Sequence, residues 1–124
     1  MKRHPIHRLF LFAPFLLLLV AATCTPPTDT TGYAEASLQY DADSAAYQSA
    51  GNALAKAAAE HRLTTDQAQR FITIQAEVRT ADNPVFEALQ QWKASGIKPA
   101  GFDTLHKTLT DAQQKIIKLN AEVN

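Results

Sequence analysis

The chain has 124 residues, with 12 basic and 12 acidic side chains and one cysteine. A single cysteine cannot form an internal disulfide, so a folded domain must be stable without one. With residues 1–23 set aside as a leader, 101 residues remain, enough for one small domain. That part carries nine basic against twelve acidic residues. The mildly acidic balance excludes nucleic acid as an expected partner, because nucleic-acid binding needs a basic face.

The N-terminal segment has the pattern of a bacterial export signal. The apolar run 9–22 is followed by Cys24 and preceded by three basic residues, Lys2, Arg3 and Arg8. The run has 14 residues and contains Pro14, whereas a membrane-spanning helix needs about 20 apolar residues. A cleaved signal peptide over residues 1–23 is therefore favoured over a membrane span.

Cys24 is the predicted site of lipidation. The four residues 21–24 resemble the bacterial lipobox, in which the cysteine becomes the acylated first residue. The alternative is ordinary cleavage after Ala22, which gives a secreted protein without lipid. Residues 24–32 are rich in Pro, Thr and Gly, which predicts a flexible tether ahead of a domain over residues 33–124. We thus expect a lipoprotein of the outer or cytoplasmic membrane that faces the periplasm.

The first predicted helix runs from about residue 33 to 62. Its large apolar residues recur every seventh position, at Tyr33, Tyr40, Tyr47 and Leu54. We call a row of apolar positions three and four residues apart on one helix face a seam. A spacing of seven, the sum of one such pair of steps, is typical of a seam. Asp43 falls on this seam, and Gly51 lies in the helix interior, where we expect a kink.

The second predicted helix spans about residues 65–95. Thr64 and Gln67 form a capping box, Leu63 packs on the first turn, and Gly96 supplies the stop. Asn before Pro84 would normally separate two helices. The seam nevertheless keeps its phase across Pro84, so we predict one helix that is bent there. Its members are Phe71, Ile74, Val78, Ala81, Val85, Ala88 and Trp92.

The third predicted helix, residues 102–122, follows a turn at 99–101 and has the most regular seam. Its seam residues are Phe102, Leu105, Leu109, Ala112, Ile116, Leu119 and Val123. Together the three segments predict an all-α fold, an antiparallel three-helix bundle with long, partly coiled-coil-like helices. The predicted core centres on Phe71, Ile74, Val78, Val85, Leu105, Leu109, Ile116 and Leu119.

The sequence specifies no catalytic constellation, cofactor or metal site, so we predict that the protein is not an enzyme. Asp103 and His106 are spaced to share a helix face, and a surface pair is the favoured interpretation. Tyr33, Tyr40 and Tyr47 are the candidate interaction residues. Packing inside the bundle is favoured for them, with contact to a partner as the alternative.

Two pentapeptides, Leu63 to Gln67 and Leu109 to Gln113, resemble the Leu-Thr-x-x-Gln motif of the periplasmic stress-chaperone family, often called LTxxQ proteins. The resemblance implies an exported, small, all-helical protein that binds unfolded proteins or metal ions. The function we expect is a structural or protein-interaction module of the cell envelope, with an LTxxQ-type chaperone or sensor as the alternative. The expected partners are the membrane, through the lipid, an unknown envelope protein, and a second copy of the chain.

Overall fold

The computed structural model describes residues 30–124. Predictions for residues 1–29, which include the export signal and Cys24, lie outside the described residues. The described part forms three helices, α1 (Thr30–Ala59), α2 (Thr65–Ser95) and α3 (Phe102–Val123), and contains no strand. The predicted all-α three-helix bundle is confirmed.

The chain runs up, down and up through the bundle. At one end the Trp92 ring of α2 packs edge-on against Tyr33 of α1, with ring centroids 6.0 Å apart, and against Phe102 of α3, at 5.3 Å. We call these three rings the aromatic end. At the other end the Arg70 guanidinium donates two hydrogen bonds, of 2.8 and 2.9 Å, to the Glu122 carboxylate. Helices α1 and α3 are therefore parallel to each other and antiparallel to α2.

The core follows the predicted seams closely. Seven of the eight residues predicted to centre it are buried, and the exception is Leu105, which is half-buried. Leu105 lies at the edge of an open groove between α2 and α3, so its side chain is covered on one side only. Further buried apolar residues are Ala50, Leu54, Ala57, Ala88, Leu89, Trp92, Phe102 and Ala112.

Helix α2 has the bounds and the caps that its sequence predicts. The Thr64 hydroxyl accepts a hydrogen bond of 3.1 Å from the Gln67 backbone N–H, and the Gln67 side chain accepts one of 2.9 Å from the Thr64 backbone. Gly96 ends the helix in the left-handed conformation, with φ of 70°. These reciprocal bonds satisfy two backbone donors that a helix start otherwise leaves free.

Helix α1 differs from its prediction at both ends. It starts three residues early, at Thr30, and the contact of Tyr33 with Trp92 holds this first turn. It stops at Ala59 because His61 adopts a left-handed φ of 57°. The Arg62 N–H then bonds the Ala57 carbonyl at 2.8 Å. This is a Schellman-type end, which usually has glycine where His61 stands.

Replacement of Pro84 by Ala is expected to leave the free energy of unfolding unchanged or to raise it. Helix α2 continues through Pro84, and proline there removes a donor that would bond the Thr80 carbonyl. Urea denaturation of the variant measures the effect, with Asn83→Ala as a control for helix propensity. A loss of stability, or non-helical NMR secondary shifts over residues 80–84, would contradict the single helix.

Replacement of Gly51 by Ala is expected to stabilise the protein by about 0.5–1 kcal/mol, because Gly weakens a helix interior. Helix α1 continues through Gly51, and an added Cβ would meet no atom within 4 Å. Gly101→Ala is the matched control, since its Cβ also meets nothing but its φ is +79°. That variant is expected to lose about 1–2 kcal/mol. Equal changes in melting temperature for the two variants would contradict the explanation that backbone conformation determines the effect.

Candidate functional site

A polar cleft of about 360 Å³ opens between α1 and α2, with α3 at its floor. We call it the tyrosine cleft, because two of the three candidate tyrosines line it. Besides the two phenols, six of its nine lining residues carry polar side chains, and one, Val78, is apolar. The lining residues are Tyr40, Ser44, Tyr47, Gln48, Gln75, Val78, Arg79, Asp82 and Gln113.

Tyr40 is fixed at one side of the cleft. Its hydroxyl donates a hydrogen bond of 2.8 Å to Asp82 Oδ1, which joins α1 to α2. Burial raises the pKa of Tyr40 to about 12, and the hydrogen bond and the negative charge of Asp82 act in the same direction. The phenol therefore remains a neutral donor throughout the physiological pH range.

Gln113 is the buried polar residue of this site. Its side chain is 2 % exposed, and its Oε1 atom has no hydrogen-bond partner among the described residues. A buried amide oxygen without a donor costs about 1–3 kcal/mol. A native protein seldom leaves such a group unpaired unless water or a ligand supplies the donor. Gln113 is thus the feature of the cleft that packing alone does not explain.

Tyr47 and Arg79 stand on opposite walls of the cleft. Burial raises the pKa of Tyr47, and the positive charge of Arg79 opposes that rise. Arg79 is exposed and forms no ion pair with any residue of the described part. The cleft therefore offers one cation without an ion-pair partner in the described part, together with two phenol side chains.

The Tyr40 phenol is expected to stay largely protonated at about pH 11, where an ordinary tyrosine is largely ionised. Because its folded pKa, about 12, exceeds the unfolded value of 10.0, its stabilising contribution is complete below pH 10. That contribution is lost as the pH rises towards 12. Alkaline titration of tyrosinate absorbance measures this, and Tyr40→Phe should remove the highest step. An unchanged titration in that variant would contradict the assignment.

The third candidate tyrosine, Tyr33, lies apart from the cleft. It is half-buried at the aromatic end against Trp92. All three tyrosines pack partly against the core, and only Tyr40 and Tyr47 share a concave site. Their role towards a partner stays a prediction.

Asp43, the charge on the first seam, is accommodated by polar partners. Its carboxylate accepts hydrogen bonds from Gln39, at 2.8 Å, and from the Thr110 hydroxyl of α3, at 3.3 Å. His106 Nε2 lies 3.7 Å from the same carboxylate. The predicted pairing of Asp103 with His106 is wrong: His106 turns inward to α1, and Asp103 pairs with Lys98 at 2.9 Å.

An apolar groove of about 900 Å³ lies on the other side of α2, against α3. Three threonines on its walls, Thr73, Thr80 and Thr108, donate their hydroxyls to carbonyls four residues back in their own helices. Their polar atoms are thereby occupied. Ile72 lines the groove and is 61 % exposed. We call this surface the α2–α3 groove.

The two Leu-Thr-x-x-Gln pentapeptides occupy different structural positions. The first caps the start of α2 through Thr64 and Gln67. The second lies inside α3, where Leu109 is buried and Gln113 lines the tyrosine cleft. The same five-residue pattern therefore caps the start of a helix in one place and contributes to the core and the cleft in the other.

No group of three or more His, Cys, Asp or Glu side chains within residues 30–124 is arranged to hold a metal ion. None of the described helices is long and apolar enough to cross a membrane. Comparison of the chain with protein-family models, with curated proteins and with solved structures finds no match.

Proposed function

We propose that this protein is an exported, lipid-anchored module of the bacterial cell envelope that acts by binding another protein. The observation that carries the proposal is the position of Cys24, which ends an apolar run and lies six residues before the first residue of α1. A short apolar run behind basic residues is typical of a cleaved export signal. A lipid on Cys24 would make the bundle a membrane-held domain.

The short connection limits where the bundle sits. Six extended residues span at most about 20 Å, so a lipid on Cys24 would keep the aromatic end close to the bilayer. Helix α1 leads away from that end, and Tyr40 lies ten residues beyond its start, a rise of about 15 Å. The tyrosine cleft would then lie away from the membrane-held end of the bundle, where a partner could reach it.

Replacement of Cys24 by Ser is expected to release the protein from the membrane fraction or to block its processing. The intact mass of the wild-type protein isolated from membranes should correspond to a chain that starts at Cys24 and carries acyl groups. Thr25→Ser is the matched control and should remain membrane-bound. A wild-type mass that begins at Thr23 and contains no lipid would show a secreted protein and overturn the anchor.

The α2–α3 groove favours a second candidate function, that of an LTxxQ-type stress chaperone. Its occupant would be an extended apolar segment of an unfolded protein. The support is the open apolar floor of the groove beside the Ile72 side chain, which is 61 % exposed. Exposed apolar surface of this kind is a feature of sites that bind other chains.

Suppression of aggregation separates the two candidates. The chaperone function predicts that the protein slows aggregation of a chemically unfolded client in proportion to its concentration, and that Ile72→Ser weakens the effect. Leu38→Ser is the control, because Leu38 is 70 % exposed on α1, outside the groove. Absence of suppression by the wild-type protein would leave the interaction module as the function.

A further inference from the structure

We propose that the tyrosine cleft binds the C-terminal end of a polypeptide, taking its last amide N–H and its terminal carboxylate. This inference deepens the proposed interaction role by naming the group that is bound. Its test does not involve the lipid anchor, so the two proposals can fail separately.

The first requirement on a ligand comes from Gln113. Its Oε1 atom is buried and unpaired among the described residues, so the missing partner must be a hydrogen-bond donor. Gln113 is among the residues that line the cleft, so its buried carboxamide lies beside the space that a ligand would occupy. The N–H of a peptide bond can donate a hydrogen bond to Gln113 Oε1. The carbonyl of the same peptide bond can accept one from another side-chain amide of the cleft.

The second requirement comes from charge. Arg79 lines the same cleft and has no ion-pair partner in the described part of the chain. A guanidinium binds a carboxylate through two parallel hydrogen bonds. A ligand that joins an N–H donor to a carboxylate at short range therefore satisfies both residues. The end of a polypeptide has this arrangement.

A free amino acid shares the carboxylate but fits less well. Its ammonium group would require an anion in the cleft, and the candidate is Asp82. Asp82 is half-buried and already accepts the Tyr40 hydroxyl at 2.8 Å. An uncharged amide N–H makes no such demand, so a peptide end is favoured over an amino acid.

The remaining walls suit a short extended segment. Gln48 and Gln75 bring carboxamides that can both donate to and accept from a peptide backbone. The Tyr47 ring offers an amphipathic face for the side chain of the last residue. A volume of about 360 Å³ is near the lower limit of ligand pockets, which accommodates a few residues rather than a folded domain.

Titration of the isotopically labelled protein, purified after expression of the full chain, tests the proposal by NMR. The probes are N-acetyl-Ala-Ala with a free carboxylate, its C-terminal amide, free alanine and N-acetylglucosamine. We expect the acid to shift the side-chain amide resonances of Gln113 and the backbone resonances around Arg79. The amidated probe should bind at least tenfold more weakly, because it lacks the charge that Arg79 pairs.

Two variants identify the residues responsible. Gln113→Leu conserves volume and removes the unpaired oxygen, so it should fold at least as stably as the wild type yet bind the acid at least tenfold more weakly. The neighbouring Gln114→Leu is its control, since Gln114 is exposed. Arg79→Gln should weaken binding to a similar extent, whereas Lys93→Gln, elsewhere on α2, should not.

Several results would overturn the proposal. They are the absence of shifts with the acid at millimolar concentration, equal binding of acid and amide, and unchanged binding by Gln113→Leu. Binding of alanine or N-acetylglucosamine in place of the peptide acid would assign the cleft to another ligand class and equally reject a peptide end.

Discussion

Truncation of Leu109 to Ala is expected to lower the free energy of unfolding by about 2–5 kcal/mol, the range for emptying a packed aliphatic site. Leu109 is 1 % exposed. It lies in the middle of α3, the helix that packs extensively against both of the others. The cavity would therefore be enclosed by all three helices, which limits how far they can collapse into it.

Urea denaturation followed by circular dichroism measures this loss as a shift of the midpoint at constant slope. Leu38→Ala is the matched control, because it removes the same atoms from a side chain that is 70 % exposed. Its effect should stay within about 0.5 kcal/mol. Similar midpoints for the two variants would show that Leu109 is not enclosed as described.

Periodicity and the helix-end signals together predicted the architecture. The α2 seam kept its phase across Pro84, and the observed helix has the predicted bounds, Thr65–Ser95. The capping box and Gly96 fixed the ends, because both act through bonds within a few residues of the terminus. In α3 the seam predicted the buried face and its start at Phe102. Features determined by local chemistry and one helix period were accessible to sequence reasoning.

Features that depend on the contact between two helices could not be predicted from the sequence. The sequence did not reveal that Gln113 is buried, because its position beside Ala112 becomes enclosed only when α1 and α2 close over α3. The stop of α1 at Ala59 was not predicted, because the left-handed residue that ends the helix is His61 and no glycine marks the position. Asp43 interrupts the apolar seam in the sequence, and its hydrogen-bond partner Thr110, 67 positions away along the chain, could not be read from that pattern.

The sequence predicted one part of the candidate site, the face of α1 that carries its tyrosines. The heptad spacing of Tyr40 and Tyr47 placed them on one face of α1, and that face does form a wall of the cleft. Tyr33 continues the same spacing, yet it reaches the aromatic end and contacts Trp92 instead. Spacing along one helix predicts a shared face, but the partner that each residue meets depends on the level at which α2 and α3 cross it.

Truncation of Trp92 to Ala is expected to cost about 3–5 kcal/mol, the range for large aromatic residues in a core. The indole is 2 % exposed and contacts Tyr33 on one side and Phe102 on the other. Lys98 adds a cation–π contact, with its ammonium 5.8 Å from the ring centroid. One side chain therefore joins all three helices at the aromatic end.

The loss of stability should be uneven along α1. Tyr33 packs against Trp92, whereas Leu54 is fully buried elsewhere in the core. Amide hydrogen exchange in Trp92→Ala should accelerate more over residues 33–36 than around Leu54. Phe86→Ala is the control, since its ring is 49 % exposed on the same helix, and it should lose less than about 1 kcal/mol. Uniform acceleration along α1, or an unchanged free energy of unfolding, would show that the aromatic end does not hold the start of the helix.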